Sequence, residues 1–241
     1  MIGLGTIINS AAIIVGGILG LLFGKLINER IQETLKKANG VSVLFIGISG
    51  ALEGMFSVSG GSIVSGKSML IVVSMALGAL VGEILNIEHW FERFGEWLKA
   101  KTGNAKDKNF VDGFVTTTLT ACIGAMAVVG SIKDGIYGDY SVLTTKAILD
   151  LITVMVLTCS LGKGCIFSAI PVLVFQGSMT ALAKLIEPLM TEAALTNLSI
   201  VGSVLIFCVG LNLLWDKKIR AANLLPALIF AVAIAFLPIN I

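Results

Sequence analysis

Charged residues are scarce in this 241-residue sequence, and their scarcity excludes an ordinary soluble domain. Only 13% of the residues are charged, whereas 56% are hydrophobic and the mean hydropathy is +0.97. A soluble domain of this size could not cover so much apolar surface with so few charges. We therefore expect lipid to be the solvent for most of the chain. The net charge of +2 gives no indication of nucleic-acid binding.

Histidine and cysteine are also rare, which argues against metal sites and disulfides. The only histidine is His89, in an amphipathic stretch where a surface position is the simplest interpretation. No C-x-x-C pair occurs among the four cysteines, which are Cys122, Cys159, Cys165 and Cys208. H-E-x-x-H and G-x-S-x-G motifs are absent as well. We therefore predict no cofactor, no metal and no enzymatic activity.

Long apolar runs are abundant, and each approaches the roughly 17 to 25 residues that cross a bilayer as a helix. They predict an all-α fold: one integral membrane domain over residues 1–241, a polytopic bundle of about eight transmembrane helices. The eight predicted spans are 2–24, 40–58, 68–85, 110–129, 142–161, 165–183, 198–215 and 221–237. Seven spans is the alternative, because Glu53 interrupts the second run and only five residues separate the last two.

The basic residues favour eight spans. With that count, all 17 lysines and arginines fall in loops on one side except Lys67, Lys133, Lys146 and Lys184. Cytoplasmic loops carry such an excess in helical membrane proteins. This distribution predicts a multi-pass protein of the bacterial inner membrane with both termini extracytoplasmic. We interpret the first run as a span, since no basic segment precedes it as in a secretory signal.

Internal similarity suggests repeats. Residues 19–28 match residues 77–86 at five of ten positions, and each copy leads into an amphipathic segment, 29–38 or 87–101. Both segments are predicted to be helices in the membrane interface. A fainter copy begins at residue 184 and would be inverted relative to the first, as in many secondary transporters. Resemblance between unrelated amphipathic helices is the alternative explanation.

Glycines recur at helical spacing in the first and third spans. Gly20 and Gly24 form one G-x-x-x-G motif, and Gly78 and Gly82 form another. Such motifs let helix backbones approach closely in lipid. They predict tight packing of both spans within the bundle, and they also allow a homodimer.

Polar residues within the spans are the candidate site. Asp150 lies near the middle of the fifth span, where an ionised carboxylate costs about 2.5 to 3.5 kcal/mol. Lys146 is four residues earlier and so on the same helix face. The pair is either structural or part of a cation or proton site, and the two interpretations are compatible. The other predicted pathway residues are Glu53, Thr117, Thr120, Gln176, Asn9 and Asn212.

Each of these residues also has an ordinary structural explanation. Glu53 could be a solvated interfacial carboxylate, and threonines such as Thr117 and Thr120 often bond to carbonyls of their own helix. Pro171 would free backbone groups in the sixth span, and a glycine after Cys122 could break the fourth. We predict that the fourth and sixth spans are discontinuous helices around a site.

Several segments together resemble a family of uncharacterised bacterial membrane proteins typified by YdfK and YqgA. The segments that carry the resemblance are 3–10, 16–17, 45–47, 51–54, 122–124, 134–135, 138–140, 149–150, 167–172, 176–177 and 221–226. The resemblance implies a multi-pass membrane protein along nearly the whole chain. The family's transport label rests on topology alone, so the resemblance implies no substrate, cofactor or catalytic residue.

Three functions remain open from the sequence. A transporter or channel for a small solute or ion is favoured by Asp150 and the interrupted spans. A non-transporting scaffold or sensor is the alternative, favoured by the glycine faces and the amphipathic helices. A membrane enzyme has the least support, because no nucleophile, base or metal cluster can be assembled.

Overall fold

The protein is described by a computed structural model, which covers residues 2–123, 125–215 and 219–237. Three short 3-10 helices, Lys163–Ser168, Glu187–Leu189 and Ala221–Leu224, join longer elements. The α-helices and strands are α1 (Leu4–Leu26), α2 (Glu29–Met55), β1 (Phe56–Ser59), β2 (Ser62–Ser65), α3 (Ser68–Leu85), α4 (Ile87–Lys101), α5 (Phe110–Cys122), α6 (Ala125–Tyr137), α7 (Ser141–Leu161), α8 (Ala169–Ala181), α9 (Ala183–Ile186), α10 (Glu192–Leu214) and α11 (Pro226–Ile234).

The helices confirm the predicted all-α membrane bundle. Among the described residues, six helical segments are long and apolar enough to cross a bilayer, one of them formed by Lys163–Ser168 together with α8. Helices α5 and α6 form a further, bent pair whose axes differ by 62°. Residues 221–234 form a shorter apolar helix. Large apolar side chains such as Ile18, Leu80 and Ile229 point outward, as expected where lipid replaces water. Eight spans remains a prediction, since the eighth run is helical but short.

The predicted amphipathic segments differ in structure. Residues 87–101 form the separate helix α4, with Asn86 before it in the left-handed conformation (φ 48°). Residues 29–38 are instead the first turns of α2, which continues to Met55 without a break. Gly40 does not end this helix because it packs against Leu213 and Leu214 of α10, where its missing side chain allows close approach.

A small hairpin that the sequence analysis did not predict follows α2. Strands β1 and β2 pair antiparallel, with Phe56 opposite Ser65. The turn residues Gly60 and Gly61 have φ values of 59° and 80°. Two consecutive left-handed residues are what a tight two-residue hairpin turn requires, and glycine supplies them without strain.

Close glycine contacts set how the helices pack. Helix α1 lies along α7, and α2 along α10, as the most extensively packed pairs of the described residues. A side chain at Gly16, Gly20 or Gly24 would meet α7 at Leu151, Met155 or Cys159, so α1 and α7 run in the same direction. Gly78 and Gly82 similarly face Ala227 and Asn223, which makes α3 and α11 antiparallel. Both glycine motifs therefore lie at helix interfaces, as predicted.

Candidate functional site

A buried ion pair occupies α7. The ammonium nitrogen of Lys146 lies 2.8 Å from both carboxylate oxygens of Asp150. The two residues are four apart on one helix face, and their exposures are only 6% and 8%. Asp150 lies nine residues after the first residue of α7, about 14 Å along the axis. The predicted pair is therefore present and deep within the bundle.

Two amide side chains complete the cluster. Asn9 of α1 donates from Nδ2 to Asp150 Oδ2 at 3.0 Å and to Gln176 Oε1 of α8 at 3.3 Å. Asn9 and Gln176 are both fully buried. The helices α1, α7 and α8 thus meet through four of the eight predicted pathway residues. We call Asn9, Lys146, Asp150 and Gln176 the polar cluster.

The polar cluster is incompletely hydrogen bonded. Asn9 Oδ1 and Gln176 Nε2 have no hydrogen-bond partner among the described residues. A buried polar atom left in this way costs about 1 to 3 kcal/mol. One acceptor and one donor therefore remain available beside a buried carboxylate.

Further polar contacts lie toward the start of α1. The hydroxyls of Thr6 and Thr180 are 3.4 Å apart and both residues are buried. The carboxylate of Asp134, on α6, accepts hydrogen bonds from the backbone nitrogens of Gly3 at 3.2 Å and Gly5 at 3.1 Å. Asp134 thereby provides an acceptor for unpaired amides at the N-terminus of α1 and a favourable charge for the helix dipole.

The end of α5 lies near the ion pair. Cys122, the last residue of α5, interacts electrostatically with both Lys146 and Asp150. The fourth predicted span is divided between α5 and α6, as expected. Gly124, the glycine predicted to break it, lies outside the described residues. The sixth span differs from the prediction, because the 3-10 helix Lys163–Ser168 leads directly into α8. Pro171 is the third residue of α8, where a missing amide hydrogen removes no internal hydrogen bond.

The other four predicted pathway residues lie outside the polar cluster. Thr120 donates its hydroxyl to the carbonyl of Thr116 at 2.8 Å, the local bond that was the alternative explanation. Thr117 is buried with its hydroxyl toward the thiol of Cys165. Glu53 is exposed in a shallow groove near the end of α2.

Asn212 has a structural role at the end of α10. Its side chain donates to the carbonyl of Ile219 at 2.6 Å and accepts from the amide of Ile219 at 2.9 Å. It therefore holds the connection to the last helix. Asn212 also lines a cavity of about 300 Å³ at the end of the bundle that carries α4.

This cavity approaches the polar cluster without reaching it. Its walls include Thr116 and Leu119 of α5 and Ser160 of α7. Leu119 is one helical turn from Cys122. On α7, the buried side chains of Val154 and Leu157 lie between Asp150 and Ser160 and belong to an apolar core. Apolar side chains of α7 thus lie between the residues that line the cavity and the ion pair.

Sequence reasoning missed Thr6, Thr180 and Asp134. Thr6 precedes Asn9 by three residues and Thr180 follows Gln176 by four, so helical spacing placed both on the faces of predicted residues. Asp134 gave no comparable signal, because its partners are backbone amides of a distant helix. Only the fold shows this contact.

The bundle, its apolar surface and its buried polar cluster define a multi-pass α-helical membrane protein. Comparison with known proteins agrees. A model of the family described as "Protein of unknown function (DUF554)" matches residues 4–236, and the chain belongs to this family. The chain is 32% identical over 232 residues to "Uncharacterized membrane protein YdfK" of Bacillus subtilis (strain 168), covering 96% of this chain and 95% of the relative.

A second relative gives the same result. The chain is 29% identical over 236 residues to "Uncharacterized protein YqgA" of Escherichia coli (strain K12), covering 96% of both chains. The predicted family resemblance is therefore confirmed. No solved structure matches the chain.

Proposed function

We propose that the protein is a membrane transporter or channel for a small solute or ion, whose pathway passes the polar cluster. The observation that carries this proposal is the buried Lys146–Asp150 pair beside two amides with unpartnered atoms. Ionisable groups at membrane depth are rare and costly, and they characteristically mark solute and ion pathways or proton relays.

Stability gives a weak reason to retain this pair. Removing two charges from water costs several kcal/mol per ion, and well-packed apolar residues of similar volume often stabilise as much or more. The unpartnered atoms of Asn9 and Gln176 add a further cost. Transport accounts for these costs, because a solute or its water could occupy the free donor and acceptor.

The pathway would combine the cavity and the break between α5 and α6. Non-helical backbone at membrane depth is tolerated where it lines a cavity or is covered by protein. The basic residues favour a cytoplasmic position for the end that carries α4, and hence for the cavity. In this arrangement the described conformation is closed by Val154 and Leu157, and transport requires these side chains to separate.

The repeats are part of the proposal. Copies 19–28 and 77–86 both contain a glycine motif at a helix interface, with α7 in one case and with residues 221–234 in the other. The inverted copy that begins at residue 184 would relate this part of the chain to a later part, and inverted repeats are a common basis of alternating access.

Solute flux into vesicles tests the proposal. Proteoliposomes would be placed in isosmotic NaCl, KCl, glycine or glycerol, with a chloride carrier present so that chloride can follow a transported cation. Their volume would be followed by light scattering. We expect the wild type to admit at least one probe faster than empty liposomes and Asp150→Asn to abolish the difference. Asp139→Asn is the matched control, since Asp139 lies in the loop before α7 and bonds the amide of Ser141. Equal flux in wild-type and empty vesicles for every probe would contradict transport.

A non-transporting scaffold or sensor is the second candidate, and two observations favour it. Asp150 is sealed by Lys146, and the cavity stops short of the pair. In addition, α4 exposes Trp90 and Trp97 beside charged residues, a surface suited to lipid headgroups. A scaffold would be impermeable to all four probes, while Trp90→Ala and Trp97→Ala would change its distribution between lipid compositions.

A further inference from the structure

Helix α4 presents an aromatic face that points away from the bundle. Trp90 is 66% exposed, Trp97 is 53% exposed and Phe94 is 39% exposed. A helix turns by about 100° per residue, so these three positions lie within about 60° of one another around its axis. The rings of Phe94 and Trp97 stack with their centroids 5.7 Å apart. The three side chains therefore form one continuous aromatic surface, which we call the aromatic face.

Contacts between α4 and the bundle fix the direction of the aromatic face. The ring of Phe94 packs on Phe114 of α5, with their centroids 5.8 Å apart. At the start of the helix, the amide of Glu88 donates to Asn223 Oδ1 at 2.7 Å, and the Glu88 carboxylate accepts from the amide of Ala222 at 3.1 Å. Helix α4 cannot turn its tryptophans toward the bundle without breaking these contacts.

Basic residues border the aromatic face, and acidic residues point away from it. Arg93 and Lys101 are exposed, and both lie within about 60° of Trp90 around the helix axis. The three glutamates of α4 lie about 120° or more from Trp90. The charge beside the tryptophans is therefore positive, although α4 as a whole carries both signs.

The loop that follows α4 adds to this positive charge. Residues 99–108 contain four lysines and one aspartate, and Lys106 and Lys108 are exposed. Lys163, at the start of the 3-10 helix after α7, lies beside this loop because its ammonium donates to Asn104 Oδ1 at 3.2 Å. Clustered lysines and arginines on or next to an amphipathic helix are attracted to anionic membrane surfaces.

The position of α4 in the chain favours lipid as the partner of this surface. Only Asn86 separates α4 from α3, which is long and apolar enough to cross a bilayer. Helix α4 therefore begins near the boundary at which α3 leaves the hydrocarbon, the depth at which tryptophans are enriched. A second copy of the chain fits less well, because a symmetric dimer through this face would bring two positive borders together.

We propose that the aromatic face of α4 and its basic border bind the headgroups of anionic phospholipids in the surrounding bilayer. The indole rings lie at headgroup depth, with their apolar edges toward the acyl chains. Arg93 and Lys101 bind the lipid phosphates, and the arginine can form two parallel hydrogen bonds. A zwitterionic headgroup carries its own positive charge and is attracted less. This inference goes beyond the proposed function and holds whether or not the protein moves a solute.

Quenching of tryptophan fluorescence by brominated lipids tests the inference. Trp215→Phe leaves Trp90 and Trp97 as the tryptophans of the chain. This protein would be placed in nanodiscs of phosphatidylcholine with a minor fraction of phosphatidylglycerol. In one preparation the phosphatidylglycerol is brominated near the headgroup end of its acyl chains. In the other, an equal fraction of the total lipid is phosphatidylcholine brominated at the same place.

The ratio of quenching by the two lipids measures how far anionic lipid is concentrated beside α4. We expect brominated phosphatidylglycerol to quench about twofold more than brominated phosphatidylcholine, because the basic border attracts it. High salt should lower this ratio, since it screens exposed charges. Equal quenching by both lipids at low salt would overturn the inference. Absence of quenching by either lipid would show that a second copy or another protein covers the face, and would overturn it as well.

Charge variants in the same Trp215→Phe background identify the residues that attract the lipid. Arg93→Gln/Lys101→Gln should lower the quenching ratio toward one. The matched control Lys133→Gln/Lys184→Gln also removes two exposed positive charges, on α6 and α9, and should leave the ratio unchanged. A ratio that is unchanged in Arg93→Gln/Lys101→Gln, or that falls equally in both double variants, would overturn the assignment to α4.

Discussion

Removing Lys146 should destabilise the protein more than removing the charge of Asp150. In Lys146→Met the carboxylate of Asp150 stays buried about 14 Å from the start of α7, and its short side chain cannot reach the helix end. Asn9 is then its only side-chain donor. An unpaired buried charge of this kind typically costs about 3 to 5 kcal/mol. In Asp150→Asn the unpaired charge is on Lys146, only five residues after the first residue of α7. Its long side chain can extend toward the helix end. We expect its cost to be about 1 to 2 kcal/mol.

Replacing both members should recover most of this loss. In Lys146→Met/Asp150→Asn no charge is buried, and the new amide can still accept from Asn9. We expect the double variant to lie within about 1 kcal/mol of the wild type, because neutral replacements avoid the desolvation of both ions. The resulting interaction energy of the pair would be about 3 kcal/mol or more.

Unfolding in mixed micelles would measure these differences. Each protein would be titrated from dodecylmaltoside into dodecyl sulfate and followed by circular dichroism. Equal losses in both single variants would refute the argument from helix depth. If the losses of the two single variants simply add in the double variant, Lys146 and Asp150 do not stabilise each other and the argument is refuted.

Three other predictions concern the surrounding contacts, each measured by the same unfolding titration. Asp134→Ala should cost about 2 to 3 kcal/mol, because two backbone amides lose a charged acceptor; an unchanged midpoint would refute this contact. Gly16→Ala should cost about 1 to 3 kcal/mol, because its new methyl group meets a backbone carbonyl of α7. Gly177→Ala is the control and should be nearly neutral, since nothing lies within 4 Å of its added carbon. Thr120→Ala should change both stability and flux little, because the Thr120 hydroxyl bonds only within α5. A large loss of flux would show that Thr120 belongs to the transport pathway.

Much of the fold could be predicted from hydropathy and helix signals. The bounds of α3 and α4 match the predicted ranges, because the apolar run ends and the amphipathic pattern begins at Asn86. The structure of residues 29–38 was harder to predict, because the change from amphipathic to apolar character occurs within one continuous helix. The hairpin was missed because its strands are short and rich in serine, and only the Gly60–Gly61 turn marks it.

The site residues that could be predicted are polar residues within segments that were expected to lie in lipid. Asn9, Lys146, Asp150 and Gln176 each stand out in apolar runs, and the fold brings them together. Thr120 stood out equally but satisfies its hydroxyl within its own helix, which sequence alone cannot distinguish. Contacts from a side chain to distant backbone, as at Asp134, leave no pattern in the sequence.

We propose that the buried pair is retained for transport rather than for stability. The most direct test is solute flux into proteoliposomes, comparing the wild type with Lys146→Met/Asp150→Asn at equal protein content. We predict that the wild type admits at least one of the four probes faster than empty liposomes, while the stable double variant admits none of them faster. Equal flux through both proteins, or no flux through the wild type above that of empty liposomes, would contradict this account.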